Sequence, residues 1–108
     1  MKYFWPTTTL LVICALLFLR IDLIRVSITN NCIGCDLSET NLGGFDLRDA
    51  DLRRANLTGA YLYGADLRGA NLQSTVLRYA GLHWANLEGA LLEGTDLRYA
   101  SLIGATLS

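Results

Sequence analysis

The chain has 108 residues, a formal net charge of -1 and a hydrophobic share of 52%. That length allows one small domain at most, and the near-neutral charge does not suit a nucleic-acid binder. Between Cys35 and Ser108 nine acids stand against six arginines, a net charge of -3 that is only mildly acidic.

Residues 1–28 differ in character from the rest. Tyr3 to Leu19 carry no charge, and the densest apolar part runs from Leu10 to Leu19. Such a stretch is at the short end of the roughly 17–25 apolar residues that cross a bilayer as a helix. We therefore expect an N-terminal hydrophobic helix over 1–28 that anchors the chain in a membrane through residues 3–19. Tyr3 and Trp5 would sit at the interface and Arg20 would reach back to it. A secretory signal is the competing reading, but no small-residue cleavage site precedes residue 32. A buried soluble helix is the third. Lys2 lies on one side of the stretch, Arg20 and Arg25 on the other, so the flanking charges leave the sidedness open.

Residues 29–34 form a short linker rich in turn formers, Asn30, Asn31 and Gly34. Cys32 and Cys35 follow. One Cys-x-x-Cys pair cannot complete a tetrahedral zinc site, and no second pair exists. Two readings stay open: two small buried residues closing the first coil, or a disulfide in an oxidising compartment.

From Leu37 to Leu107 every fifth residue is leucine. Two positions earlier stands a small residue, usually alanine, as in Ala50, Ala55, Ala60 and Ala65. Five fits neither regular element: it scatters the leucines around a helix and alternates them across a strand. They share one core only if the chain turns within each repeat. Gly44, Gly59, Gly64, Gly69, Gly89, Gly94 and Gly104 mark the corners, two residues after the leucine. Asp or Asn usually precedes the leucine, as in Asp46, Asp51 and Asn56, where it can bond nearby amides. The expected class is an all-β solenoid whose narrow core is already filled, with no cofactor, metal or substrate pocket.

The runs Ala50-Asp51-Leu52, Ala55-Asn56-Leu57, Ala65-Asp66-Leu67, Ala70-Asn71-Leu72 and Ala85-Asn86-Leu87 carry a resemblance. Residues 35–108 resemble the pentapeptide-repeat family. The resemblance implies a right-handed quadrilateral β-helix of just under four coils, with four repeats per turn. Leu77-Arg-Tyr-Ala80 recurs as Leu97-Arg-Tyr-Ala100, which agrees with a turn of twenty residues. Phe45 is too large for an inward slot and predicts a flared or capped first coil. An uncapped last coil invites end-to-end self-association.

With four faces, residues twenty apart stack. Arg68 then lies near Glu88, and Arg53 near Gln73 and Glu93, as solvated ladders. One side departs from this: Tyr61, Tyr63, Tyr79, His83, Trp84 and Tyr99, bordered by Arg78 and Arg98. Aromatic residues and arginine are enriched at binding hot spots, whereas stacked aromatics on an exposed ladder also pack simply on one another. The function expected is a non-enzymatic, membrane-tethered scaffold for an unidentified protein, with no nucleic acid or small-molecule substrate. Two alternatives remain: a DNA-mimic modulator of DNA gyrase, as the resemblance implies for some members, and an exported repeat protein freed by signal cleavage.

Overall fold

A computed structural model of the chain describes Asp22, Arg25, Val26 and residues 29–108. The expected anchor at 3–19 lies outside the described residues. So does most of the expected helix over 1–28, of which Asp22, Arg25 and Val26 are helical, as is Thr29. Among the described residues no helix is long and apolar enough to cross a membrane.

Each repeat closes a tight corner. The amide after the corner donates to the leucine carbonyl three residues back, as from Ala80 to Leu77 at 3.1 Å. In its type II form such a turn needs a positive φ at its third residue. That condition holds at every corner from residue 34 to residue 104, with φ from 55° at Asp49 to 73° at Gly104. Four corners bring the chain once around. Bridges then join residues twenty apart, all parallel, as in Tyr61 with Gly81 and Asn86 with Thr106. The Leu62 amide donates upward to the Gly81 carbonyl at 2.7 Å, and the Gly81 amide donates back to Ala60 at 2.9 Å.

The result is a four-sided solenoid. Face 1 is the column of Leu37, Leu57, Leu77 and Leu97. Face 2 is that of Leu42, Leu62, Leu82 and Leu102. Face 3 holds Leu47, Leu67, Leu87 and Leu107, and face 4 holds Cys32, Leu52, Leu72 and Leu92. The leucines from Leu37 to Leu87 are essentially fully buried, as are the alanines beside them. Phe45 does not enter the interior fully; it packs half-buried against the core.

Three expectations need correction. The all-β expectation holds only as single parallel bridges; no strand longer than one bridge forms among the described residues. Corners recur every five residues and leave only three between them, so no ladder grows longer than one bridge. The winding also starts at Asn31, which bridges Asp51, and thus takes in part of the segment read as a linker. Finally, Arg53 and Arg68 find their nearest charged partner in their own repeat, although Glu88 on the next coil still acts on Arg68. Each folds back onto the aspartate two residues before it, through Nε and Nη2, at 2.8 and 2.6 Å for Arg53 and at 2.9 and 2.6 Å for Arg68. Arg48 and Arg98 do the same with Asp46 and Asp96. Residues i and i+2 of an extended segment point to the same side, which makes this clasp local. Gln73 and Glu93 do meet across coils, at 3.4 Å.

The Asx residues act as their spacing suggests. Asn41, Asn56, Asn71 and Asn86 each accept from the amide two residues on. The threonines in the small slot add bonds that alanine cannot. Thr75 Oγ1 donates to the Leu52 carbonyl at 2.6 Å inside the core, and Thr95 Oγ1 to Leu72 at 2.7 Å.

Helical residues cap the first coil. Val26 is fully buried, and Asp22 Oδ2 accepts from the Asp36 amide at 2.8 Å. Asn30, with φ of 52°, ends the helical segment. At the other end Leu92, Leu97 and Leu102 are half-buried and Leu107 is exposed.

Candidate interaction face

Face 2 differs from the others in charge. Residues 40–44, 60–64, 80–84 and 100–104 contain no Asp, Glu, Lys or Arg. Faces 1, 3 and 4 each carry acids and arginines. The same face and its two corners carry Tyr61, Tyr63, Tyr79, Trp84, Tyr99 and Ile103, all more than half exposed. The structure thus gathers every residue of the aromatic group singled out from the sequence, and adds Ile103.

The group is ordered by its own contacts. Tyr79 and Tyr99 stack at the corner between faces 1 and 2, with ring centroids 5.0 Å apart and planes within 9°. His83 Nε2 is 2.9 Å from Ser101 Oγ, and its ring is 6.3 Å from that of Tyr63. No carboxylate orients His83 among its contacts, so it gains neither a triad nor a metal geometry. Trp84 stands at the corner between faces 2 and 3, where its indole covers Gly104.

Tyr79, Trp84 and Tyr99 occupy corner positions with φ of 59°, 61° and 62°. Most other corners there hold glycine. The left-handed region costs an L-residue about 1–2 kcal/mol, and bulky side chains are rare in it. Stacking offsets part of that cost, by about 0.5–1.5 kcal/mol per aromatic pair. Glu39, Asp49, Arg54 and Ser74 share this conformation at other corners, so what sets these three apart is the bulk of their aromatic side chains.

Arg78 borders the face and stands apart from its counterparts. Arg98 belongs to the same Leu-Arg-Tyr-Ala run one coil later and is held by Asp96. At the matching position before Arg78 the chain has Val76. Arg78 consequently has no ion pair among the described residues. Its Nε is buried without a hydrogen-bond partner, and its guanidinium sits 5.7 Å from the Tyr79 ring centre. Asp96 feels it only weakly; the Arg98 hydrogen bond does most to hold that carboxyl down at about 2. Arg54 also lacks an ion pair among the described residues, but it is exposed.

A second grouping lies at the capped end. Cys32 and Cys35 are joined in a disulfide, both buried, beneath Asp22. Asp22 and the two sulfurs converge within 4.8 Å. With both sulfurs bonded to each other no thiolate is offered, so this set does not suit a metal ion.

Sequence reasoning found the aromatics but missed three features: the backbone strain beneath them, the Asp-Leu-Arg clasps and the unpaired Arg78. The clasp had a signal, because Asp-Leu-Arg occurs at Asp46, Asp51, Asp66 and Asp96 and fails only at Val76.

Known proteins place the chain. A family model described as pentapeptide repeats matches residues 31–69, 55–94 and 77–108. A pentapeptide repeat protein from the thylakoid lumen of Arabidopsis thaliana is 31% identical, with a TM-score of 0.64. That match covers 70% of this chain and 56% of the other, so the chain spans little over half of that relative. The pentapeptide repeat protein alr5209 from Nostoc is 34% identical, with a TM-score of 0.60, over 72% of this chain and 76% of its own. Among curated proteins no match is found. The repeat geometry, the matched residues and these two structures together establish that the chain belongs to the pentapeptide-repeat family.

Proposed function

We propose that the chain is a non-enzymatic interaction scaffold that presents face 2 to a protein partner. One observation carries the reading: the solenoid's single uncharged face carries exposed Tyr61, Tyr63, Trp84 and Ile103 and is bordered by the Tyr79–Tyr99 stack. Interfaces gain most from buried aromatic anchors in charge-poor surroundings. The filled core of leucine and alanine supports a role without catalysis, since catalysis needs a concave pocket with paired reactive groups. Cross-linking of the intact chain tests the scaffold. Partners recovered with the native chain should vanish with a Tyr61, Tyr63 and Trp84 triple alanine variant, and unchanged partners would sink it.

Tethering to a membrane through residues 3–19 is part of the proposal and rests on that apolar stretch. The Cys32–Cys35 disulfide favours a domain on an oxidising side, and one relative comes from a lumenal compartment. An exported, cleaved form shares that support. Membrane fractionation with protease protection separates the two. A gyrase modulator acting as a DNA mimic has less in its favour, because four of the acids are neutralised by arginines of their own repeats.

A further inference from the structure

The orphan guanidinium says more about the partner than the aromatic face does alone. Four arginines on this solenoid are clasped through Nε and Nη2 by the aspartate two residues earlier. Arg78 has the same backbone setting, but Val76 replaces the aspartate, and its Nε is buried without a partner. A buried donor left unpaired is destabilising, the more so when its group is charged. Its guanidinium lies beside the Tyr79 ring, at the edge of face 2.

We propose that face 2 docks a short segment of a partner protein that carries aromatic or aliphatic side chains and, beside them, a carboxylate received by Arg78. This rests on the scaffold reading above. The absence of fixed charge on face 2 selects an apolar contact strip in the occupant. Arg78 selects an acid at one place along it, because a guanidinium pairs best with a planar carboxylate. The coil amides here are already bonded to the coils above and below, as Gly81 is to Ala60, so the occupant adds no strand to a ladder and is held by its side chains. Size argues for a segment rather than a second copy. Three coils about 4.8 Å apart, with about 3.3 Å per residue across, give a patch of about 15 Å each way. That is well short of the roughly 800 Å² per partner of a stable dimer.

The test is a phage-displayed peptide library selected on the intact chain, followed by titration of the best peptide and of its Glu→Gln or Asp→Asn counterpart. Enriched peptides should join aromatic residues to an acid at a constant spacing. The neutral counterpart should bind about tenfold more weakly. The deciding variant is Val76→Asp, which rebuilds the clasp that residues 96–98 already hold. It should erase the difference between the acidic and neutral peptides and leave the neutral peptide's affinity unchanged. Arg78→Gln should likewise erase the difference between acidic and neutral peptides, without adding an acid. If acidic and neutral peptides bind alike to the native chain, or if both variants keep the preference, the assignment to Arg78 is overturned while the scaffold reading survives. If the Tyr61, Tyr63 and Trp84 triple alanine variant binds as the native chain does, the docking face itself falls. Selection of no peptide at all, or binding to phosphatidylcholine vesicles in place of peptides, would overturn both.

Discussion

Trp84 and Gly104 are a matched pair one coil apart. The indole lies so close over Gly104 that a Cβ there would sit 2.6 Å from Cδ2 and 2.7 Å from Cζ3. Gly104 also has φ of 73°. Gly104→Ala therefore meets two penalties: about 1 kcal/mol or more for the backbone, and displacement of the indole. A lowered melting temperature and a shift in Trp84 emission, measured in a Trp5→Phe background, are expected together. A melt shift with unchanged emission would mean that the pair is not coupled.

Arg54 isolates the backbone part of that cost. It has φ of 59°, is exposed, and has no ion pair among the described residues. Arg54→Gly should raise stability by about 1 kcal/mol, because glycine adopts this corner without steric penalty. Chemical denaturation checks it, and an unchanged midpoint would show that these corners are not strained.

Core substitutions should grade along the axis. Leu62 is fully buried between coils, whereas Leu102 is half-exposed near the end. Leu62→Ala should cost about 2–5 kcal/mol, and Leu102→Ala clearly less. Equal losses would contradict stability set by each coil's neighbours.

The arginine clasps predict a weak acid response. The Arg48 and Arg98 hydrogen bonds hold the Asp46 and Asp96 carboxyls down at about 2, from an ordinary 3.8, and those of Asp51 and Asp66 are lowered by the Arg53 and Arg68 bonds. A carboxyl whose folded pKa is depressed binds fewer protons folded than unfolded. Its contribution is complete above pH 4 and is lost as pH falls towards 2. Exposure keeps the effect small, and salt should reduce it. Melting temperatures from pH 5 to 2 in low and high salt measure both trends.

Reduction acts on the capped end alone. The Cys32–Cys35 bond closes a very short loop, and such a loop restricts the unfolded chain by about 2 kcal/mol. Thermal melts with and without a phosphine reductant should differ by that order. Amide exchange should rise first around Asp36, whose amide is held by Asp22 across the cap.

The core was legible because leucine at every fifth residue leaves only a wound chain able to bury it. Corners such as Gly44 and Gly64 were legible from glycine's tolerance of positive φ. Tyr79, Trp84 and Tyr99 hid the same conformation, since nothing in their side chains favours it. Arg53 was expected beside Gln73 and Glu93 on the neighbouring coils, yet Asp51 in its own repeat holds it. Their two-residue spacing puts them on one side of one segment, and the nearest partner prevails. The cap at Val26 and Asp22 carries no repeat and left no pattern to read.

The twenty-residue offset between bonded coils has a consequence for change in length. Removing one whole repeat anywhere leaves the leucines and corners in phase, so the interior would reassemble. Everything beyond the cut would nevertheless rotate by a quarter turn relative to what lies below. A deletion between Tyr63 and Tyr79 would carry the Tyr79–Tyr99 stack and Trp84 to a neighbouring side, away from Tyr61. The interior counts in fives and the exterior in twenties, so a gene change invisible to folding can still dismantle the recognition surface.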